Sequence, residues 1–240
     1  MKSLVLTAGS GSRLYPITRI TPKALLDVKE KPVLAHILEN LDSSRYLEEV
    51  YVMYPNSFEH QFNQFEKYFK YNKRIELVSD KHKMVDEMPG SIGAIAYVVK
   101  SKNIQDDLLV VGGDNLFDFS IDDFINFYNS KDKKTSIAVY DTKYKSRIAN
   151  KLGCVVIDEN KRIVGFEEKP AKPKSTLAST LCYILSQNDL HHLDKKIFKE
   201  NVGELIAHLV NNSGVYAFEF KGKWFDIGSY EDLANARKDF

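Results

Sequence analysis

The chain is poor in cysteine, lacks a long apolar run and has no excess of one charge. Its 240 residues include two cysteines, Cys154 and Cys182, which excludes a disulfide framework and predicts two small buried hydrophobic residues. The 34 basic residues nearly cancel the 33 acidic ones, so no field for nucleic acid or a membrane surface arises. No apolar stretch could cross a bilayer, and the first residues do not resemble a signal peptide. We therefore expect a cytoplasmic protein with no nucleic-acid or membrane partner.

Length and composition favour one globular domain over residues 1–240. With 43% hydrophobic residues, a chain of this size can bury a core without disulfides or structural metal. The six histidines show no zinc-binding spacing, and we expect ordinary surface or core positions for them.

The order of the predicted elements indicates an α/β fold. In the first part, short apolar strands alternate with helices, the strands at 3–7, 49–54, 75–79 and 108–111 and the helices at 33–41, 58–69 and 92–99. This alternation predicts βαβ units and a mostly parallel sheet flanked by helices. After about residue 135, strands with short turns predict antiparallel additions, at 135–140, 153–158, 162–166 and 180–185. Helices at 202–210 and 230–240 are predicted around a strand at 215–220.

A loop of small residues follows the first predicted strand. Residues 8–11 read Ala-Gly-Ser-Gly, and small residues allow backbone N–H groups to approach a phosphate or a base edge closely. Arg13 and Lys23 follow and would supply positive charge beside a triphosphate. On its own the loop is equally typical of a tight turn. It has neither the third glycine of a dinucleotide fingerprint nor the Gly-Lys-Ser/Thr of a P-loop.

The longer pattern Gly-x-Gly-x-Arg-Leu-x-Pro-x-Thr at 9–18, followed by Pro-Lys-x-Leu-Leu at 22–26, resembles the sugar-phosphate nucleotidyltransferases. Within this family, the motifs resemble those of the glucose-1-phosphate thymidylyl- and uridylyltransferases. These enzymes join a sugar 1-phosphate to a nucleoside triphosphate and release pyrophosphate. The resemblance implies a Rossmann-like mixed sheet of the nucleotide-diphospho-sugar transferase type. It also implies a nucleotide-binding half at about 1–130 and a sugar-phosphate-binding half at about 131–240.

The same resemblance assigns roles to the loop residues. It implies that Arg13 and Lys23 are catalytic and stabilise the leaving pyrophosphate. Residues expected to contact the nucleotide are Ala8, Gly9, Ser10, Gly11, Pro89 and Gly90. The last two begin a segment, 89–95, that resembles the family's base-reading loop, but residues 81–88 contain no equivalent of the base-reading glutamine that many members carry.

Two acidic residues in family motifs predict a magnesium site. Asp114 follows the apolar run 108–111 and two glycines, which places it at the carboxyl end of a strand, where ligands bind in open parallel sheets. Asp226 lies in Trp-Phe-Asp-Ile-Gly-Ser at 224–229. Each alone could be a turn or capping acid. The family uses both positions to bind Mg²⁺, and a hard cation held by two carboxylates and phosphate oxygens is the usual arrangement.

The pattern Phe-x-Glu-Lys-Pro at 166–170 implies a sugar-phosphate site. In isolation it is typical of a solvated strand end. By resemblance, Lys169 binds the phosphate of the sugar 1-phosphate and Glu168 binds sugar hydroxyls. Further sugar-binding residues are expected at Gly153, Thr180 and Tyr183, although Leu181 replaces a glycine that is usual in this segment of the family.

The expected reaction therefore joins glucose 1-phosphate to dTTP or UTP with Mg²⁺, and a homo-oligomer is left open. A glycosyltransferase with a similar sheet is one alternative, but it would normally carry Asp-x-Asp where Asp114 is followed by Asn115 and Leu116. The other is a catalytically inactive regulatory subunit that binds nucleotide sugars. Loss of the catalytic charges would mark such a subunit, and these charges are present.

Overall fold

The computed structural model describes residues 1–7, 9, 11–80, 90–194 and 201–240. By contact, the chain divides into two compact units. The first unit comprises Met1–Lys83, Val111–Asp122 and Gly222–Phe240, and the second comprises Met84–Val110 and Asp123–Lys221. The predicted assignment of one substrate to each half of the sequence stays a prediction.

The helices and strands follow one another along the chain as β1 (Lys2–Leu6), β2 (Asp27–Val28), β3 (Lys31–Pro32), α1 (Val33–Ser43), β4 (Glu49–Tyr54), α2 (Glu59–Tyr68), β5 (Arg74–Ser79), α3 (Gly90–Ser101), β6 (Leu108–Gly112), β7 (Asn115–Phe117), α4 (Ile121–Ser130), β8 (Ser136–Asp141), β9 (Gly153–Ile157), β10 (Ile163–Glu167), β11 (Leu177–Leu185), α5 (Val202–Asn212), β12 (Tyr216–Glu219), β13 (Trp224–Asp226) and α6 (Tyr230–Asp239). Helix α4 and the short strands β2, β3, β7 and β13 were not predicted.

In the first unit, β1, β4 and β5 form a parallel sheet, as the alternation of strands and helices predicts. Parallel pairing places the carboxyl ends of these strands at one edge, where Leu6 lies opposite Met53. Helix α2 packs its aromatic stripe into the core, with Phe62 and Phe65 buried and the Phe62 ring stacked on Tyr54 at 4.9 Å. This aromatic face of α2 is therefore part of the core of the first unit.

In the second unit, antiparallel pairs dominate. Strand β11 pairs antiparallel with β8 and with β9, β9 pairs antiparallel with β10, and β12 lies parallel to β8. The predicted antiparallel additions are confirmed, and so is the fold class, a mixed, mostly parallel sheet flanked by helices.

Cys154 and Cys182 are free and buried, as expected. Within the described residues, no helix is long and apolar enough to span a membrane.

Candidate active site

The two predicted metal-binding acids meet where β7 pairs with β13. Asp226 lies opposite Asn115 in this antiparallel pair, and the Ile227 amide donates to the carbonyl oxygen of Asp114 at 3.0 Å. The Asn115 side chain donates to Asp114 Oδ1 at 2.9 Å and accepts from Trp224 Nε1 at 2.7 Å. The two sequence motifs therefore form one hydrogen-bonded structure in the first unit, with the carboxylate of Asp114 oriented by its neighbour.

Gly113 allows the chain to bring Asp114 to this position. Its amide donates to the Leu6 carbonyl at 2.8 Å. A Cβ atom at residue 113 would lie 2.7 Å from Thr7 Cγ2 and 2.8 Å from the Leu6 carbonyl oxygen, which is closer than real Cβ atoms approach. Residue 113 follows β6 and lies against the end of β1, and only glycine fits there without a shift of the backbone.

Opposite charges surround the two acids. Lys23 Nζ forms an ion pair with Asp114 Oδ2, and both side chains are largely buried. Burial, and then the negative charge of Asp114, raise the pKa of Asp226, whereas the positive charges of Lys23 and Arg13 act in the opposite direction. Two adjacent carboxylates, one of them with a pKa raised partly by the charge of the other, are a donor set that suits a divalent cation. Among the described residues no group of three or more His, Cys, Asp or Glu could hold a metal ion.

Arg13 lies in an exposed 3₁₀ turn, Ser12–Leu14. The turn follows Gly11, whose φ of 59° is in the left-handed region and whose carbonyl accepts from Thr18 Oγ1 at 2.7 Å. A Cβ atom at Gly228 would lie 3.0 Å from Arg13 Nη2, so the guanidinium packs against the motif that carries Asp226.

Two of the predicted nucleotide contacts can be placed beside these charges. A Cβ atom at Gly9 would lie 3.9 Å from Lys23 Cε, so the backbone of the small-residue loop approaches the lysine side chain. Gly11 begins the arginine turn. The predicted contacts Ala8, Ser10 and Pro89 lie outside the described residues. Gly90, in the second unit, is the first residue of α3 and is exposed, with a φ of 73°.

In the second unit, Glu168 and Lys169 directly follow β10. Lys169 is exposed and has a φ of 46°, which is unusual for a residue with a side chain, and such strain is concentrated at functional sites. Its Nζ lies 3.6 Å from Glu168 Oε1. Burial raises the pKa of Glu168, and the charge of Lys169 partly offsets this shift.

Two glycines enclose the carboxylate of Glu168. A Cβ atom at Gly153 would lie 3.3 Å from Glu168 Oε2 and 2.9 Å from Phe166 Cζ. A Cβ atom at Gly203, in the first turn of α5, would overlap Glu168 Oε2 and lie 2.8 Å from Glu168 Cδ. This contact of Gly203 was not predicted from the sequence. A glycine inside an apolar helical pattern is the signal that could have indicated a close approach there.

The hydroxyl groups of Thr180 and Tyr183 are already hydrogen-bonded within the second unit. Thr180 Oγ1 donates to the Ala138 carbonyl at 2.9 Å, and the Tyr183 hydroxyl lies 2.7 Å from Ser179 Oγ. Both side chains are buried. Their roles in sugar binding stay predictions.

Comparisons with known sequences agree with the motifs. The family model described as Nucleotidyl transferase matches residues 2–240. Among curated relatives, the bifunctional protein GlmU of Methanococcus maripaludis is 30% identical over 100% of this chain and 54% of its own length. The bifunctional protein GlmU of Methanocaldococcus jannaschii is 27% identical over 99% of this chain and 54% of its own length. The chain thus spans about half the length of these relatives.

Solved structures show the same fold. A Bacillus anthracis protein assigned as a glucose-1-phosphate thymidylyltransferase, in complex with sucrose, superposes with a TM-score of 0.80 at 22% identity, covering 99% of this chain and 94% of that one. A UDP-glucose pyrophosphorylase complexed with UDP-glucose gives a TM-score of 0.81 at 21% identity, covering 99% and 97% of the two chains.

Proposed function

The chain belongs to the nucleotidyl transferase family, and we propose that it joins glucose 1-phosphate to dTTP or UTP and releases pyrophosphate. The observation that carries this proposal is the gathering of Lys23, Asp114, Asp226 and Arg13 in the first unit. A regulatory subunit would not need two positively charged side chains, Lys23 and Arg13, beside two adjacent carboxylates. The choice of glucose with a pyrimidine nucleotide is supported by the names of the proteins that share the fold.

In the proposed reaction, an oxygen of the sugar phosphate attacks the α-phosphorus of the triphosphate in line. A new P–O bond forms, and the bond from the α-phosphorus to the bridging oxygen of pyrophosphate breaks. No general base is needed, because a sugar monophosphate with a second pKa of about 6 is mostly ionised at neutral pH. The protein must hold two anions together and stabilise the charge of the leaving group.

Different residues bind the two substrates. Arg13 and Lys23 neutralise the developing pyrophosphate, the arginine with several N–H donors and the lysine as a mobile point charge. Lys169 binds the phosphate of the acceptor. Glu168 accepts hydrogen bonds from sugar hydroxyls, for which its partly buried carboxylate beside Lys169 is suited.

Mg²⁺ fits the acids of the first unit. Asp114 and Asp226 would hold it. Burial, and then the negative charge of Asp114, raise the pKa of Asp226, and a cation would balance that charge. When bound, the ion supplies positive charge to phosphate oxygens. The side chain of Asn115 keeps Asp114 oriented for this task.

The decisive experiment measures pyrophosphate release while several sugar 1-phosphates are crossed with ATP, GTP, CTP, UTP and dTTP. We expect the highest kcat/KM for glucose 1-phosphate with dTTP or UTP. After addition of EDTA we expect no release of pyrophosphate. A preference for a purine nucleotide would contradict the pyrimidine assignment. Nucleotide-sugar binding without turnover for any pair would favour the regulatory subunit, and transfer of the sugar from a nucleotide sugar without pyrophosphate chemistry would favour the glycosyltransferase.

A further inference from the structure

The hydroxyl group of Tyr230 reaches two backbone carbonyls next to Arg13. Its oxygen lies 3.1 Å from the carbonyl oxygen of Leu14 and 3.0 Å from that of Tyr15. A phenol has one hydrogen to donate, so the bond is shared between two successive carbonyls. These carbonyls end the turn that carries the guanidinium.

The two ends of this contact differ in how firmly they are held. Tyr230 is the first residue of α6, a helix capped by Ser229 Oγ, which accepts from the Asp232 amide at 3.2 Å, and anchored by the buried side chains of Leu233 and Ala236. The turn Ser12–Leu14 is exposed apart from Leu14 and has no side-chain cap. The contact therefore ties an exposed turn to an anchored helix.

The same segment contacts the arginine itself. Gly228 lies against the Arg13 guanidinium, since a Cβ atom there would lie 3.0 Å from Arg13 Nη2, and Asp226 is two residues earlier in the same segment. On the other side of the turn, the Gly11 carbonyl is held by Thr18 Oγ1. Together, these contacts fix both the backbone and the guanidinium of Arg13 relative to the acid of β13.

We propose that Tyr230 is a positioning residue that holds the Arg13 turn in the conformation that receives the triphosphate. The inference rests on the proposed function, because it assigns the purpose of the contact to nucleotide binding. A free arginine turn would lose backbone freedom each time it binds a phosphate, whereas a tethered turn has lost it already. Loss of one such hydrogen bond should weaken the affected step about five- to tenfold.

Tyr230→Phe removes the hydroxyl and keeps the ring, and Tyr68→Phe removes a hydroxyl from a tyrosine that is 79% exposed and serves as the matched control. For Tyr230→Phe we expect the Kd for UTP and dTTP, measured by calorimetry, to rise about five- to tenfold. The KM for glucose 1-phosphate should not change, and amide hydrogen exchange in residues 12–17 should accelerate. In an Arg13→Ala background, Tyr230→Phe should have no further effect on nucleotide affinity.

Unchanged nucleotide affinity, an equal loss in the Arg13→Ala background, or equal effects on both substrates would overturn the positioning role. Unchanged hydrogen exchange would show that the tether itself does not constrain the turn. Failure of the proposed function would be seen separately, as absence of pyrophosphate release by the wild-type protein with every pair. In that case the calorimetric and exchange measurements still decide the role of Tyr230.

Discussion

In the first unit the predicted site residues interact mainly through their charges, whereas in the second unit they interact mainly through close van der Waals contacts. Asp114 and Lys23 form an ion pair, and the charges of both act on the pKa of Asp226. The carboxylate of Glu168 instead lies against Gly153 and Gly203, and its Oε1 is 3.6 Å from Lys169 Nζ. The difference matches the proposed substrates. A highly charged triphosphate is recognised by charge, while a hexose is distinguished by the fit of a few hydrogen bonds.

The largest effect should come from removing charge from the first unit. Asp114→Asn and Asp226→Asn keep the side-chain volume, and each should lower kcat by about a thousandfold, the upper range for loss of one electrostatic contact in the transition state. Pyrophosphate release measures the loss. Mn²⁺ binding, followed by electron paramagnetic resonance, should weaken in both variants.

Asp106→Asn, at an exposed position in the second unit, is the matched control and should leave both measurements unchanged. If Asp114→Asn and Asp226→Asn retained normal turnover, or if the wild-type protein were fully active in EDTA, the carboxylates would be turn and pairing residues only. The contrast between the two units would then lose its basis.

A change of shape in the second unit should have the next largest effect. Gly203→Ala introduces a Cβ atom that overlaps the Glu168 carboxylate, which must move away. The KM for the sugar phosphate should rise about tenfold or more, because misplacement of a positioning group by about 1 Å can cost up to a hundredfold. Steady-state kinetics with each substrate varied in turn should show little change in the KM for the triphosphate.

Gly165→Ala is the control, since a Cβ atom there would lie at an ordinary 3.5 Å from Val156 Cβ. A similar rise in the KM for both substrates, or no rise in Gly203→Ala, would contradict the idea that the second unit recognises its ligand by fit.

Charged site residues could be predicted from the sequence, whereas features that depend on close contacts could not. Charged residues in motifs with fixed spacing, such as Asp114 and Asp226, were predicted as site residues, and the structure brings them together. Gly203 and Tyr230 were not identified, because a close approach and a hydroxyl contact depend on residues that are distant in sequence. The short strands that pair the two acid motifs were also missed, since three residues carry too little periodicity to indicate a strand.

Leu181 shows a different reason for a missed feature. The resemblance to the family implies a glycine at this position. The structure supplies a physical reason, because Leu181 has a φ of 51°, in the left-handed region, at the point where the register between β11 and β8 shifts. A strand pattern alone does not reveal such an irregularity.

The raised pKa of Asp226 predicts a pH-dependent stability of the first unit in the absence of metal. The folded protein holds the proton of Asp226 to higher pH than the unfolded chain, whose value is 3.8, so ionisation destabilises the folded state as the pH rises above this value. In EDTA, Asp226→Asn should therefore be stabilising at pH 8, by a few kcal/mol, and neutral near pH 3. Urea unfolding at both pH values measures the difference.

This gain should shrink in an Asp114→Asn background, because the charge of Asp114 causes part of the shift. Glu168→Gln should show the same sign as Asp226→Asn, since burial also raises the pKa of Glu168. Stabilisation of Asp226→Asn that is equal at pH 3 and pH 8 would refute the electrostatic description of the first unit.

The smallest effect is expected from Leu181→Gly in the second unit. Glycine relieves the left-handed conformation, which costs a residue with a side chain roughly 1–2 kcal/mol, and this gain offsets the lost burial of a partly exposed leucine. The free energy of unfolding in urea should therefore change by less than about 1 kcal/mol. Leu185→Gly, in the same strand but fully buried, should lose at least about 3 kcal/mol, since a large core side chain is removed without relief of backbone strain. Equal losses in the two variants would mean that the backbone at residue 181 stores no strain, and that the packing of the second unit tolerates a left-handed leucine without cost.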